Sequence, residues 1–141
     1  MSIKSNICIG DIYLMKFNGN EHEQAGWRPG LIFQNNVGNR YSPNVIALPL
    51  TSVIKKMHQP THVFISAADS GLKKDSVVLC ENPCCISKGS LGCYITTLSK
   101  DYMEQIVEAS LLATSAISYL DFDMLKSVYQ KALQLNANIV A

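Results

Sequence analysis

The 141-residue chain is long enough for one domain with a real core, and 48% hydrophobic against 16% charged residues excludes a disordered polypeptide. A net charge of +1 excludes the global basic signature of a nucleic-acid binder, so any anion site has to be local. No apolar run reaches membrane-spanning length and Met1 to Asn6 lacks a signal-peptide core, so no membrane span is expected and the cytoplasm is the expected location.

Asp11 to Phe17 alternates loosely and predicts a first strand. A polar, glycine-bearing loop runs from Asn18 to Gly26. Leu31 to Gln34 and Val45 to Leu50 predict the second and third strands, and the turn formers from Asn39 to Asn44 make them an antiparallel pair. In such a pair the start of one strand lies beside the end of the next. Arg28 opens one apolar run and Thr51 closes the other, so the two are expected as neighbours at one end of a sheet. A fixed cation beside a fixed hydroxyl suits an anionic phosphate.

Lys55 to Pro60 is a basic connector, Thr61 to Ile65 a strand, Asp69 to Asp75 a turn, and Ser76 to Cys80 another buried strand. Short strands at this spacing suggest a small antiparallel barrel or curled sheet. Ser99 is placed to cap a helix bearing Met103, Ile106, Val107, Ser110 and Leu111 on one face. After a hinge from Ala113 to Tyr119, Asp121 caps a second helix with Met124, Leu125, Val128, Ala132 and Leu135 on one face. Both stripes are expected to be core, with a dimer contact as the alternative. The fold class is α+β, a small antiparallel β-barrel closed by C-terminal helices, in a single domain spanning 1–141.

Cys8, Cys80, Cys84, Cys85 and Cys93 are an odd count, which favours thiols over a disulfide framework. Cys80, Cys84 and Cys85 contain no C-x-x-C element, and His22, His58 and His62 are scattered. Buried small hydrophobes are the expected role of the cysteines, and no metal site or cofactor is expected.

Six elements in order resemble the MazF/PemK/Kid family of toxin endoribonucleases. They are Gly10-Asp11-Ile12-Tyr13, Glu23 to Pro29 (E-Q-x-G-x-R-P), Gln34 to Pro43 (Q-N-D-x-G-N-R-x-S-P), Pro49 to Ser52, Pro60 to Val63, and Gly71 to Val78. The resemblance runs from about Gly10 to Leu112. It implies an SH3-like barrel, a homodimer, metal-independent cleavage of single-stranded RNA, and a peptide antitoxin that blocks the RNA groove, as in a type II toxin–antitoxin pair. By position Arg28 and Thr51 match the catalytic pair. Glu23, Gln24, Trp27, Asn36, Lys55, Lys56, Glu81 and Asn82 are assigned to substrate binding, Trp27 by stacking on a base and the lysines by phosphate contacts. The chain departs from the family after the fifth strand. Where the family reads E-Q-I-R-T-I-D-K, this chain has Cys84 for the arginine and Ser87 for the aspartate, which removes a positive charge. The tail beyond Leu112 is also longer. A catalytically weakened RNA-binding relative and a non-enzymatic, gyrase-binding toxin of the CcdB group are the competing readings.

Overall fold

A computed structural model describes residues 4–18, 26–53 and 59–140. Its elements, in order, are β1 (Asp11–Phe17), β2 (Gly26–Ile32), α1 (Asn36–Tyr41), β3 (Asn44–Thr51), β4 (His62–Ile65), α2 (Ala67–Ser70), β5 (Ser76–Leu79), β6 (Cys84–Ser87), β7 (Leu91–Thr97), α3 (Lys100–Ala113) and α4 (Phe122–Val140). A 3₁₀ turn, Ala116–Tyr119, stands at the expected hinge. None of the described helices is long and apolar enough to cross a membrane.

The seven strands form one antiparallel sheet in the order β4-β5-β3-β2-β1-β7, with β6 also on β3. The α+β class holds, but the expected closed barrel is an open sheet, because β4 and β7 end the ladder unpaired with each other. The long strand β3 explains the shape. Its first half pairs β6 (Val45 with Ile86, Ala47 with Cys84) and its last residues pair β5 (Leu50 with Val78, Thr51 with Val77).

The sheet is buried on both faces, which is why β2 and β3 carry near-continuous apolar runs. On one face Ile12, Leu31, Leu48, Leu50, Val78 and Leu98 pack under Ile106 and Ala109 of α3. On the other, Tyr13, Met15, Phe17, Ile32, Val45 and Ala47 meet Ile86 of β6, with Leu91 and Tyr94 of β7 against them. Truncating any of these leucines or isoleucines to alanine costs about 2–5 kcal/mol. The fully buried Asp11 ties the chain's start to β7. It accepts Lys4 Nζ at 2.8 Å, the Cys8 N–H at 2.9 Å and Thr97 Oγ1 at 2.7 Å.

Several expectations need correction. The segment read as a turn from Asn39 to Asn44 holds most of α1 instead. The Asn35 side chain caps this helix by accepting the Gly38 N–H at 2.8 Å, and the buried Asn39 donates to the Gln34 carbonyl, also at 2.8 Å. Polar tertiary contacts, rather than an apolar stripe, make this helix. The strands β6 and β7 were not foreseen. Ser99 does cap α3, accepting the Tyr102 N–H, but Val107 and Leu111 of the expected stripe are exposed. The face turned to the sheet carries Met103, Ile106 and Ala109. Asp121 caps α4, accepting the Met124 N–H at 2.8 Å, yet Met124, Leu125, Val128 and Leu135 are exposed instead of forming core. All five cysteines are free thiols. Cys80 is buried as expected, whereas Cys85 is exposed and the others are half-buried.

Candidate functional site

Two prolines decide where the site opens. The β2–β3 ladder runs from Ile32–Ala47 to Gly30–Pro49 and stops there. Neither Pro29 nor Pro49 has an N–H to extend it. The register carried one step past Pro29 sets Arg28 opposite Thr51, beyond the last rung, where the strands are free to part. A cavity of about 540 Å³ lies at this opening, and both Arg28 and Thr51 line it. The antiparallel argument from sequence therefore brings the two residues together.

The floor and walls come from four other segments. Leu14 of β1, Leu50 of β3, Cys93 and Ile95 of β7, and Leu72 supply apolar surface. Trp27 is 55% exposed at the rim. Its ring lies over Gly92, where an added Cβ would come within 3.2 Å of the indole and 3.0 Å of the Leu14 carbonyl. Lys73, Lys74 and Ser76 complete the lining beside Thr51. Their place follows from the β3–β5 register: Thr51 pairs Val77, so the residues before Ser76 lie just past the end of β3.

The turn carrying the lysines is held firmly. Gly71 takes the left-handed conformation that ends α2 (φ 83°). Asp75 Oδ1 accepts the Ala67 N–H at 2.8 Å, so this carboxylate is spent on the backbone. Tyr102 of α3 braces the same turn, its hydroxyl accepting the Ser66 N–H at 3.3 Å.

The ionisable side chains of the lining are Arg28, Lys73, Lys74 and the Cys93 thiol, without a carboxylate. Among the described residues no acidic side chain pairs with Arg28. Burial pushes the Arg28 guanidinium below its ordinary pKa, the sign of a cation partly stripped of water and not compensated. It remains charged at neutral pH. Binding an anion there would restore the lost solvation. Thr51 Oγ1 accepts the Val53 N–H at 3.2 Å, which fixes the oxygen and leaves its proton for donation.

The other residues expected at the substrate lie elsewhere or outside the described residues. Glu23, Gln24, Lys55 and Lys56 fall outside them. Asn36 belongs to the frame: its Oδ1 accepts the Ile9 N–H at 2.8 Å and Asn39 Nδ2 at 3.0 Å. It lines a different cavity, of about 350 Å³, with Arg40 and Lys88. Glu81 meets His62 Nε2 at 2.8 Å, and the Asn82 carbonyl accepts Cys84 Sγ at 3.3 Å. Neither they nor Cys84 line the Arg28 cavity. Among the described residues no three His, Cys, Asp or Glu side chains converge as metal ligands.

Comparison with known proteins adds an independent line. The family described as PemK-like, MazF-like toxin of type II toxin–antitoxin system matches residues 9–113. Endoribonuclease EndoA of Bacillus subtilis is 38% identical over 113 residues, covering 78% of this chain and 96% of that protein. The Mycobacterium tuberculosis toxin MazF-mt6 superposes with a TM-score of 0.64 at 27% identity, over 79% of this chain and 99% of that one. A mycobacterial endoribonuclease in complex with its cognate antitoxin superposes with a TM-score of 0.62, also at 27% identity, over 76% and 93% of the two chains.

Proposed function

This chain belongs to the PemK-like, MazF-like toxins of type II toxin–antitoxin systems, and from that premise we propose that it cleaves single-stranded RNA at the Arg28–Thr51 cavity. The observation that carries the reading is the meeting of these two side chains, one an uncompensated cation, at the end of a broken ladder.

The chemistry follows from what these groups offer. A ribose 2′-hydroxyl attacks the adjacent phosphorus and the P–O5′ bond breaks, leaving a 2′,3′-cyclic phosphate and a 5′-hydroxyl. Negative charge builds on the phosphoryl oxygens. The planar Arg28 guanidinium meets two of them as a fork, and Thr51 donates to a phosphoryl or leaving oxygen. A guanidinium is too weak an acid to lose its proton readily, so charge stabilisation is the main task of Arg28. The apolar wall of Leu14, Leu50 and Ile95 lowers the local dielectric and strengthens that attraction. Trp27 at the rim offers a stacking face for a base. The cationic lining disfavours a divalent ion, so the reaction proceeds without a metal.

A cognate antitoxin that covers this groove, a two-fold assembly of the toxin and a cytoplasmic location complete the reading. The test is incubation of the purified protein with mixed-sequence single-stranded RNA in excess EDTA. Discrete fragments with 5′-hydroxyl and cyclic-phosphate ends are expected. Loss of cleavage on chelation, restored by one divalent ion, would overturn the metal-free mechanism, and intact RNA in every buffer would overturn the nuclease.

A further inference from the structure

We propose that the apolar face of α4 is an association surface for a second copy of this chain, packed helix against helix. The inference is independent of the nuclease chemistry, because α4 contributes nothing to the Arg28 cavity.

The face is too apolar to stay in water. Phe122 is 90% exposed, Tyr119 78% and Tyr129 66%, and Met124, Leu125, Val128, Leu133 and Leu135 are exposed beside them. Ile117, Leu111 and Leu112 continue the patch back onto α3. These side chains present on the order of 1,000 Å², beyond the roughly 300–600 Å² of a monomer's largest patch. The same area meets the about 800 Å² per partner of a stable interface.

The pattern selects the occupant. Leu125, Val128, Ala132 and Leu135 follow one another at steps of three, four and three, the spacing of a helix that packs along a near-parallel helix. Such a seam is complementary to itself across a two-fold axis. Only Asp123, Lys126 and Lys131 are charged on α4, so no run of like charge opposes self-pairing. Two lysines are also too few for an RNA or membrane surface. The family match ends at residue 113, before α4, so the features shared with relatives that bind antitoxins do not include this helix. An isolated helix of this length is marginal in water, and packing against a copy supplies the burial it needs.

Sedimentation equilibrium on the full chain over a range of concentrations tests the proposal. Wild type is expected to self-associate. Leu125→Glu/Leu135→Glu places charges in the seam and should weaken association at least a hundredfold. Ala132→Leu, which fills the seam without adding charge, should tighten it. Ser127→Glu/Gln134→Glu, on the polar face, should leave it unchanged. A wild-type protein that stays monomeric to about 100 μM would overturn the proposal, since an interface of this area is expected to hold well below that concentration. So would association indifferent to both seam variants, which would assign pairing to the sheet. Unaltered self-association together with lost binding of purified cognate antitoxin in the Glu variant would give the face to the antitoxin and equally overturn it.

Discussion

Arg28 sits half-buried with no acidic partner among the described residues, so its removal takes away a poised charge without breaking an ion pair. Arg28→Ala should therefore fold normally and lose a hundredfold or more in cleavage rate, the usual cost of one pre-placed charge donor, about 3 kcal/mol. Arg28→Lys should recover only part of it, because a point charge replaces a fork. Thr51→Ala should be impaired as well. Single-turnover rates beside far-UV circular dichroism check all three, and an Arg28→Ala protein that cuts RNA normally would sink the assignment. A second residue reports on the core. Burial, with Glu81 adding to it, holds the Cys80 thiol at about 11 against 9.0 ordinarily. Above pH 9 the unfolded chain ionises this thiol while the folded one keeps it neutral, so stability falls between about pH 9 and 11, by on the order of 2 kcal/mol. Urea midpoints at pH 8 and 10.5 should fall further for wild type than for Cys80→Ala. Lys4 and Tyr13, which also titrate at high pH, are common to both proteins and cancel.

Among elements, the turn between α2 and β5 adds most to the site and was least visible in advance. Lys73 and Lys74 read as ordinary solvated charges in a turn, and only the β3–β5 register brings them to Thr51. If each meets one phosphate, Lys73→Gln and Lys74→Gln should each flatten the slope of log affinity against log salt by about 0.7. Binding measured on an Arg28→Ala background, where RNA stays intact, gives the slopes, and unchanged slopes would remove the lysines from the RNA path. The convergence of Arg28 and Thr51 was legible because two apolar runs and an antiparallel connection suffice to place strand ends. β1 was legible to the residue for a similar reason, its apolar positions being set by one sheet. α1 was not, because Asn35 and Asn39 act through capping and buried amide contacts that no periodicity reveals. β6 and β7 escaped because β6 has only four residues, and β7 is nowhere fully buried and packs mainly through Leu91, Tyr94 and Ile95. The departure at Cys84 was read as a loss of charge beside RNA. The structure sets Cys84 on β6, opposite Ala47 and away from the Arg28 cavity.

At the scale of the whole molecule the chain divides by burial into a folded nuclease body and an added helix. Every buried residue lies between Gly10 and Ala109, and every described side chain of α4 is exposed. The two core clusters use β1 to β7 and α3 and nothing beyond. The family match stops at residue 113, and EndoA is covered over 96% of its length by 78% of this chain, so a relative manages without a counterpart of most of the tail. Sequence periodicity found α4 and its cap but placed its stripe in the core, because an amphipathic pattern tells that a face is covered and not by which molecule. Removing residues 115–141 should therefore leave both clusters intact. The shortened protein is expected to remain folded, with a cooperative unfolding transition, and to cut the same RNA at the same positions, because all residues lining the Arg28 cavity precede the deletion. Its self-association should weaken while the sites of cleavage stay fixed. End-mapping of RNA fragments and a urea titration, run on both lengths of chain, measure the two properties separately. A truncated protein that is insoluble or unfolds without cooperativity would mean that α4 belongs to the core after all, and displaced cut sites would mean that it reaches the RNA.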